Sequence, residues 1–233
     1  MSKVIIVSCS PTVSQTVNLV EHVFASWNTH SIETVQMPSR NELRHLIQST
    51  SADHLVIYLI GNTRIVPLYR AIRDIQPLSN YEAVLKTADF QFYRATEFRT
   101  DLAANASKRI TVLCDLNDPI NWIKTATFAH DGVHGQTVEC DTPDARIQYV
   151  AAYTHWPTKT MVPTMGRTEY TPMSVALKNV DHVPRSLYEL VMQLNAAYRA
   201  IYTDLVDKKC YEKLDAMVFS CEQNVTHSKF LTS

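Results

Sequence analysis

Glycine is scarce in this chain. Its 233 residues include four glycines, at positions 61, 132, 135 and 166, whereas average usage predicts roughly 16. Phosphate-binding loops of the Rossmann and P-loop types need several glycines within one turn. The scarcity therefore excludes glycine-rich phosphate loops of both types.

Long apolar runs, an excess of charge and closely spaced cysteines are also absent. No apolar run approaches the roughly 20 residues that a membrane-spanning helix requires, and the amino-terminal run is too short for a signal peptide. A formal net charge of -1 gives no indication of nucleic-acid binding. The five cysteines form no Cys-x-x-Cys pair. We therefore expect free thiols, a cytoplasmic, reducing location and no membrane association. The cysteines are Cys9, Cys114, Cys140, Cys210 and Cys221.

Short apolar runs alternate with helix-start signals over residues 1–115. The runs predict buried strands, and the signals are Ser-Pro pairs, capping boxes and an isolated proline. Strands separated by single helices predict an α/β fold with a mostly parallel, three-layer sheet. The predicted strands are Lys3–Val7, Ile32–Val35, His54–Ile60, Arg109–Leu113 and Ile147–Tyr153. The predicted helix starts are at Ser10-Pro11, Ser39 to Glu42, Pro67, Ser79 to Glu82 and Ser186 to Glu189.

The remainder of the chain is less regular. Residues 116–183 include a proline- and threonine-rich loop at 155–172, and residues 184–221 predict a C-terminal helical cover. Its first helix, starting at Ser186, carries an apolar stripe through Leu194, and a second helix is predicted near Tyr211 to Phe219. With no repeat or linker, we expect one domain over residues 1–233.

The turn after the first strand is the first candidate site. Ser10, Pro11, Ser14 and Thr16 are in register with the phosphate loop of flavodoxin-like, NADPH-dependent FMN reductases, which this segment resembles. The resemblance continues at Gly61-Asn62 and covers about the first third of the chain. It implies a flavodoxin/Rossmann-like sheet and FMN or another phosphate-bearing ligand, although Cys9 and Thr12 replace the family's glycine and arginine. The residues implied in cofactor binding are Ser10, Thr12, Ser14, Gln15, Thr16, Asn62 and Arg64.

The alternative for this turn is ordinary helix capping by Ser10 and Thr12. A second group, Asp115, Asn117 and Asp118, follows another strand. It suits either a magnesium ion or a solvated turn. His130 and His134 have the spacing of metal ligands on a helix, but two glycines predict a polar loop instead, so no metal site is expected. No Cys-His or Ser-His-Asp arrangement indicates catalysis.

The 155–172 loop is the second candidate surface. It contains the aromatic, methionine and arginine side chains that are enriched at protein interfaces, although these side chains also suit a lid packed on the sheet. Tyr188 and Met192 lie just outside the apolar stripe of the C-terminal helix. The predicted partner-binding residues are Trp156, Met161, Met165, Arg167, Tyr188 and Met192.

Two functions remain open from the sequence. The first is a non-catalytic binding or adaptor protein, with no cofactor, that recognises a protein partner or a second copy of itself. The second is a flavin- or nucleotide-dependent oxidoreductase of flavodoxin-like type. The lack of glycine favours the first, because close approach of the backbone to a flavin or phosphate usually needs residues without a Cβ.

Overall fold

The computed structural model describes twelve stretches of the chain. They are residues 2–11, 13–27, 29, 31–67, 81–117, 119–123, 128–130, 135–137, 144–154, 170–206, 214–220 and 230–231. The elements in these stretches are β1 (Ser2–Ser8), α1 (Ser14–Ser26), β2 (Ile32–Gln36), α2 (Arg40–Ser49), β3 (His54–Gly61), β4 (Thr63–Pro67), β5 (Tyr81–Lys86), β6 (Phe92–Arg94), α3 (Ala95–Ala104), β7 (Arg109–Leu116), α4 (Pro119–Ile123), β8 (Phe128–His130), β9 (Gly135–Thr137), β10 (Ile147–Thr154), α5 (Pro172–Lys178), α6 (Leu187–Val206) and β11 (Leu214–Ser220).

The larger sheet has the strand order β2-β1-β3-β7-β10-β11-β8-β9. Strands β2, β1, β3, β7 and β10 run parallel to one another, and β11, β8 and β9 are added in antiparallel pairs. Numbered among themselves, the five parallel strands have the order 2-1-3-4-5, which is the flavodoxin-like arrangement. The predicted α/β class and mostly parallel sheet are therefore confirmed.

Two apolar layers cover the faces of this sheet. Helices α2, α3 and α4 supply buried side chains on one face, where Ile57 and Leu59 of β3 point. Helices α1, α5 and α6 cover the other face, where Val56 and Tyr58 point. Because strand side chains alternate between faces, the continuous apolar sequence of β3 is buried on both sides. This arrangement confirms the three layers.

A smaller antiparallel sheet has the order β4-β5-β6, and it corrects two predictions. Pro67 ends β4 rather than opening a helix, and Tyr81 and Glu82 lie in β5 rather than at a helix start. The Glu82 carboxylate does cap a helix, but it accepts the Thr96 N–H at 3.0 Å, at the start of α3. The predicted helix after Pro67 lies in 68–80, outside the described residues.

The C-terminal cover differs from its prediction in one element. Helix α6 is present, but Leu214–Ser220 forms β11, a strand antiparallel to β10, where a second helix was predicted. A short apolar run does not distinguish a buried strand from a helix by its periodicity. Here the open edge of β10 supplies the backbone partners that make the segment a strand.

The predicted helix starts at Ser39 and Ser186 are confirmed, and the one at Ser10-Pro11 is not. Ser39 and Glu42 form the predicted capping box of α2, and the Glu189 N–H donates to Ser186 Oγ at 3.1 Å at the start of α6. Helix α1, however, begins at Ser14, with Val13 at the cap and no side-chain cap. The Ser10-Pro11 pair lies in the turn before the helix, so the prediction that it opens α1 was wrong.

Candidate functional site: the carboxyl edge of the parallel sheet

The loops after β1, β3 and β7 meet at one edge of the sheet. The Cys9 N–H donates to the Ile60 carbonyl at 2.8 Å. The Asn117 side-chain oxygen accepts the Thr63 N–H at 2.6 Å and the Thr63 hydroxyl at 2.8 Å. This edge includes the point between β1 and β3 where strand order reverses, and open α/β sheets generally bind ligands there. This edge is therefore the candidate functional site.

Ser10 and the start of α1 occupy the β1 side of this edge. Ser10 is 8% exposed, and the Ser8 hydroxyl donates to the Ser10 carbonyl at 3.0 Å, which ties the turn back onto its strand. Ser14 and Gln15 are exposed. The side chain of Ser10 is therefore closed off from solvent, unlike those of Ser14 and Gln15. Thr12 lies outside the described residues.

Thr16 was predicted to face the same ligand, but it is fully buried. Its Oγ1 accepts the Thr171 N–H at 3.2 Å, which joins α1 to the residue before α5. The hydroxyl that a phosphate would need thus serves a contact inside the protein. The prediction of Thr16 as a ligand-binding residue is corrected accordingly.

Asp115 is the centre of a buried hydrogen-bond network on the α1–α5–α6 side of the sheet. It lies near the end of β7 and is 7% exposed. Its Oδ2 accepts the Tyr58 hydroxyl at 2.7 Å and also the Thr171 hydroxyl. Thr171 in turn caps α5, because its Oγ1 accepts the Ser174 N–H at 3.3 Å. One carboxylate therefore joins β3, β7 and the start of α5.

Burial dominates the electrostatics of this network. It raises the pKa of Asp115 to about 6, despite the two hydroxyl donors, which lower it. Burial and the neighbouring Asp115 charge raise the pKa values of Tyr58 and Tyr198 well above the ordinary tyrosine value. Both tyrosines therefore stay neutral, and Asp115 is the group of this network that changes charge near neutral pH.

The opposite side of the edge is filled by apolar packing. Gly61 lies where a Cβ would come within 2.6 Å of Leu85 Cδ1 and 3.4 Å of Cys9 Cβ. Leu85, from the smaller sheet, is fully buried. Glycine at this position thus lets β5 pack directly against the end of β3, beside the point where strand order reverses.

Asn62 and Arg64 remain at the surface. Both side chains are exposed, Asn62 in the turn between β3 and β4 and Arg64 on β4. The structure therefore brings Asn62 to the same edge as Ser10, as predicted. Arg64 belongs to the smaller sheet.

Two cysteines can be described at this edge, and both are free and buried. Burial raises the pKa of the Cys9 thiol to about 12 and that of the Cys114 thiol further, so neither forms a thiolate at neutral pH.

His54 lies at the opposite end of β3. Its ring accepts from the Arg109 guanidinium at 2.8 Å and donates to Thr111 Oγ1 at 2.9 Å. Burial lowers the pKa of His54 to about 3.

The other predicted site residues are described only in part. Asp115 and Asn117 are both engaged in hydrogen bonds within the chain, and Asp118 lies outside the described residues. His130 belongs to strand β8, where a polar loop was predicted, and His134 is not among the described residues. Within the described part of the chain no three His, Cys, Asp or Glu side chains are placed to share a metal ion.

Among the predicted partner-binding residues, Tyr188 is half-buried and Met192 is 43% exposed on α6. Trp156, Met161, Met165 and Arg167 lie outside the described residues, so the 155–172 loop stays a prediction. None of the described helices has the length and apolar character needed to cross a membrane.

Tyr58 and Thr171 are the network residues that sequence reasoning missed. A signal was present for each. Tyr58 is a hydroxyl-bearing residue within the apolar run of β3, and buried tyrosines usually find a partner for that hydroxyl. Thr171 precedes Pro172, which is the pattern of a helix cap followed by proline at the first helical position.

Comparison with protein-family models and with curated proteins gave no match. Solved structures do match across the chain. The crystal structure of protein GSU0716 from Geobacter sulfurreducens has a TM-score of 0.56 at 10% identity, covering 98% of this chain and 97% of that one. Caspase-1 from Spodoptera frugiperda has a TM-score of 0.52 at 11% identity, covering 100% of this chain and 91% of that one. At such identities the similarity shows the fold alone.

Proposed function

We propose that this chain is a non-catalytic binding protein that recognises a protein partner. The observation that carries the proposal is the filling of the sheet edge by the chain's own side chains. On one face the Asp115 carboxylate is used by Tyr58 and Thr171, and on the other Leu85 packs against Gly61. The groups that would otherwise meet a ligand there support the fold instead.

The similarity to an insect caspase raises the question of whether this chain catalyses cysteine-dependent hydrolysis. Caspases carry a Gln-Ala-Cys-x-Gly motif, with a histidine about 50 residues before the cysteine. Here the cysteine at the end of β7, Cys114, lies between Leu113 and Asp115 and so does not match that motif. The Cys114 thiol is fully buried with a raised pKa, and His54 lies at the other end of β3. These residues favour a binding role over hydrolysis.

The outer face of α6 is our choice for the partner-binding surface. Leu190, Val191 and Leu194 of this helix are fully buried in the core. Met192 is exposed on the opposite side, and the half-buried Tyr188 precedes it by one helical turn, so both lie toward the same side of the helix. A second copy of the chain is the partner that we commit to.

Sedimentation velocity over a concentration series tests this surface. We expect the wild-type chain to self-associate, and the double variant Tyr188→Ala, Met192→Ala to sediment as a monomer with nearly unchanged thermal stability. Val183→Ala is the matched control, since Val183 is exposed to a similar degree, 38%, but lies before α6. A monomeric wild type, or a double variant that associates like the wild type, would contradict the assignment.

A flavin- or nucleotide-dependent oxidoreductase is the second candidate function. The parallel strand order 2-1-3-4-5 is compatible with it, because flavodoxin has this order and binds FMN where the order reverses. Ser14, Gln15 and Asn62 are exposed near that point. We rank it second because Ser10 and Thr16, two further hydroxyl-bearing residues of the proposed phosphate loop, are buried.

A further inference from the structure

The turn between β5 and β6 holds a phenylalanine in a backbone conformation that favours glycine. The Phe90 N–H donates to the Thr87 carbonyl at 3.0 Å, and the Thr87 N–H donates to the Gln91 carbonyl at 3.0 Å. Phe90 itself has φ 60. A tight turn followed by one residue with positive φ is a common hairpin connection, and that residue is usually glycine.

Folding does not account for phenylalanine at this position. Its side chain is 78% exposed, so it adds little to the core, while a bulky residue with positive φ destabilises the turn. Backbone conformations of this kind tend to occur at functional positions. Phe90 therefore points to a role outside the fold.

Strand register places other exposed side chains on the same face as Phe90. Arg64 and Arg94 both pair with Val84, and Phe92 pairs with Lys86 two residues along. Paired residues, and residues two apart on a strand, share one face of a sheet. We call the set Arg64, Lys86, Phe90, Phe92 and Arg94 the hairpin face.

The Lys86 ammonium shows that Phe90 belongs to this face. Its Nζ lies 4.6 Å from the centre of the Phe90 ring, which is a cation–π distance. Phe92 is 43% exposed. Val84, between the two arginines, is buried, whereas Arg64, Lys86, Phe90, Phe92 and Arg94 are all exposed.

Positive charge dominates the hairpin face. Arg94 bonds the buried Glu82 carboxylate at 3.3 Å, whereas Arg64 and Lys86 form no ion pair with any residue that the structure describes. The nearby Asp89 carboxylate accepts from the Thr87 hydroxyl and from the Arg40 N–H. The rings of Phe90 and Phe92 thus lie beside cationic side chains that can still bind carboxylates.

The hairpin is held rigidly against the rest of the protein. The Ala88 N–H donates to the Pro38 carbonyl at 3.0 Å, and the Arg40 N–H reaches the Asp89 carboxylate at 3.3 Å. Both contacts join the turn to the segment between β2 and α2. A surface fixed in this way binds without an entropic cost of ordering itself.

We propose that the hairpin face binds an acidic protein segment that also carries apolar side chains. Arg64, Lys86 and Arg94 bind its carboxylates, and Phe90 and Phe92 contact its apolar side chains. Nucleic acid suits the chain less well, because the formal net charge is -1 and the pI is about 6.7, without the basic excess of nucleic-acid-binding proteins. This surface is separate from the outer face of α6.

Fluorescence anisotropy with labelled probes tests the proposal on the full chain. The probes are a short peptide alternating glutamate and leucine, the same peptide with lysine for glutamate, a third with serine for leucine, and an oligodeoxythymidine. We expect the glutamate–leucine peptide to bind best and to be released by salt. Phe90→Gly and Lys86→Glu should each weaken its binding about tenfold or more, as truncation of an interface anchor does.

Phe90→Gly keeps the test independent of folding, because glycine accepts the φ of this turn. Its unfolding temperature should equal or exceed that of the wild type. Ile65→Thr is the matched control, since Ile65 is exposed on β4 but alternates with Arg64 and so lies on the other face; it should bind like the wild type. The proposal would be overturned if the glutamate–leucine peptide did not bind, or if Phe90→Gly bound it as tightly as the wild type. It would also be overturned if the protein preferred the lysine peptide, the serine peptide or the oligonucleotide. None of these results bears on self-association through α6.

Discussion

Asp115 is a carboxyl group whose protonation and packing are coupled. It is 7% exposed and accepts the hydroxyls of Tyr58 and Thr171. A carboxylate without a cation partner is costly to bury, whereas a protonated carboxyl is less so. The raised pKa of about 6 is the consequence. At neutral pH the network therefore holds a buried negative charge.

Replacing Asp115 by Asn should make the protein gain stability relative to the wild type as pH rises. The folded-state pKa of about 6 exceeds the unfolded value of about 3.9, so the folded state binds the proton more tightly. The stability from this group is present below about pH 4 and is lost as pH rises through 6. The difference in free energy of unfolding should shift toward the variant by about 2 kcal/mol between about pH 4 and pH 7. Denaturant unfolding at several pH values measures it.

Asp53→Asn is the control for this prediction. Asp53 is exposed, and Lys108 lowers its pKa to about 2. Its folded-state and unfolded-state pKa values both lie below about 4, so this variant and the wild type should keep a constant difference above about pH 5. A pH-independent difference for Asp115→Asn would contradict the prediction, because it would mean that the Asp115 pKa is the same in the folded and the unfolded protein.

Helix α6 is the element on which the cover of one sheet face depends. Leu194 is fully buried among the side chains of α1, α5 and the sheet. Leu194→Ala should therefore lower the free energy of unfolding by about 2–5 kcal/mol, measured by chemical denaturation. Met192→Ala, on the exposed side of the same helix, should leave it nearly unchanged. A thermally silent Leu194→Ala would mean that this helix is not part of the core.

The elements predicted best are those whose signals are local. The apolar runs of β1, β3 and β7 and the capping box at Ser39 depend on neighbouring residues alone, and the structure has all of them. Elements decided by distant partners were missed. β11 is a strand because β10 offers it an edge, and Glu82 caps α3 rather than its own segment.

The same distinction applies to the site. That Ser10 and Asn62 share an edge follows from parallel strands, and it was predicted. The contacts of Thr16 with Thr171, and of Leu85 with Gly61, join residues far apart in sequence. No local pattern predicts such contacts, so the burial of Thr16 was missed.

At the scale of the whole molecule, both faces of the parallel sheet are covered by helices, and at its carboxyl edge Asp115 and Gly61 make contacts within the chain. Among the described residues, the outer face of α6 and the hairpin face carry exposed large apolar side chains. This distribution is typical of a scaffold that presents surfaces to other proteins. We therefore expect the carboxyl edge to hold no cofactor.

The visible absorbance spectrum of freshly purified protein tests this claim most directly. Denaturation should release any bound chromophore, so a second spectrum is recorded from the supernatant of the denatured protein for comparison. We expect no flavin band before or after denaturation. A flavin band near full occupancy would contradict it and would make the flavodoxin-like oxidoreductase the leading function.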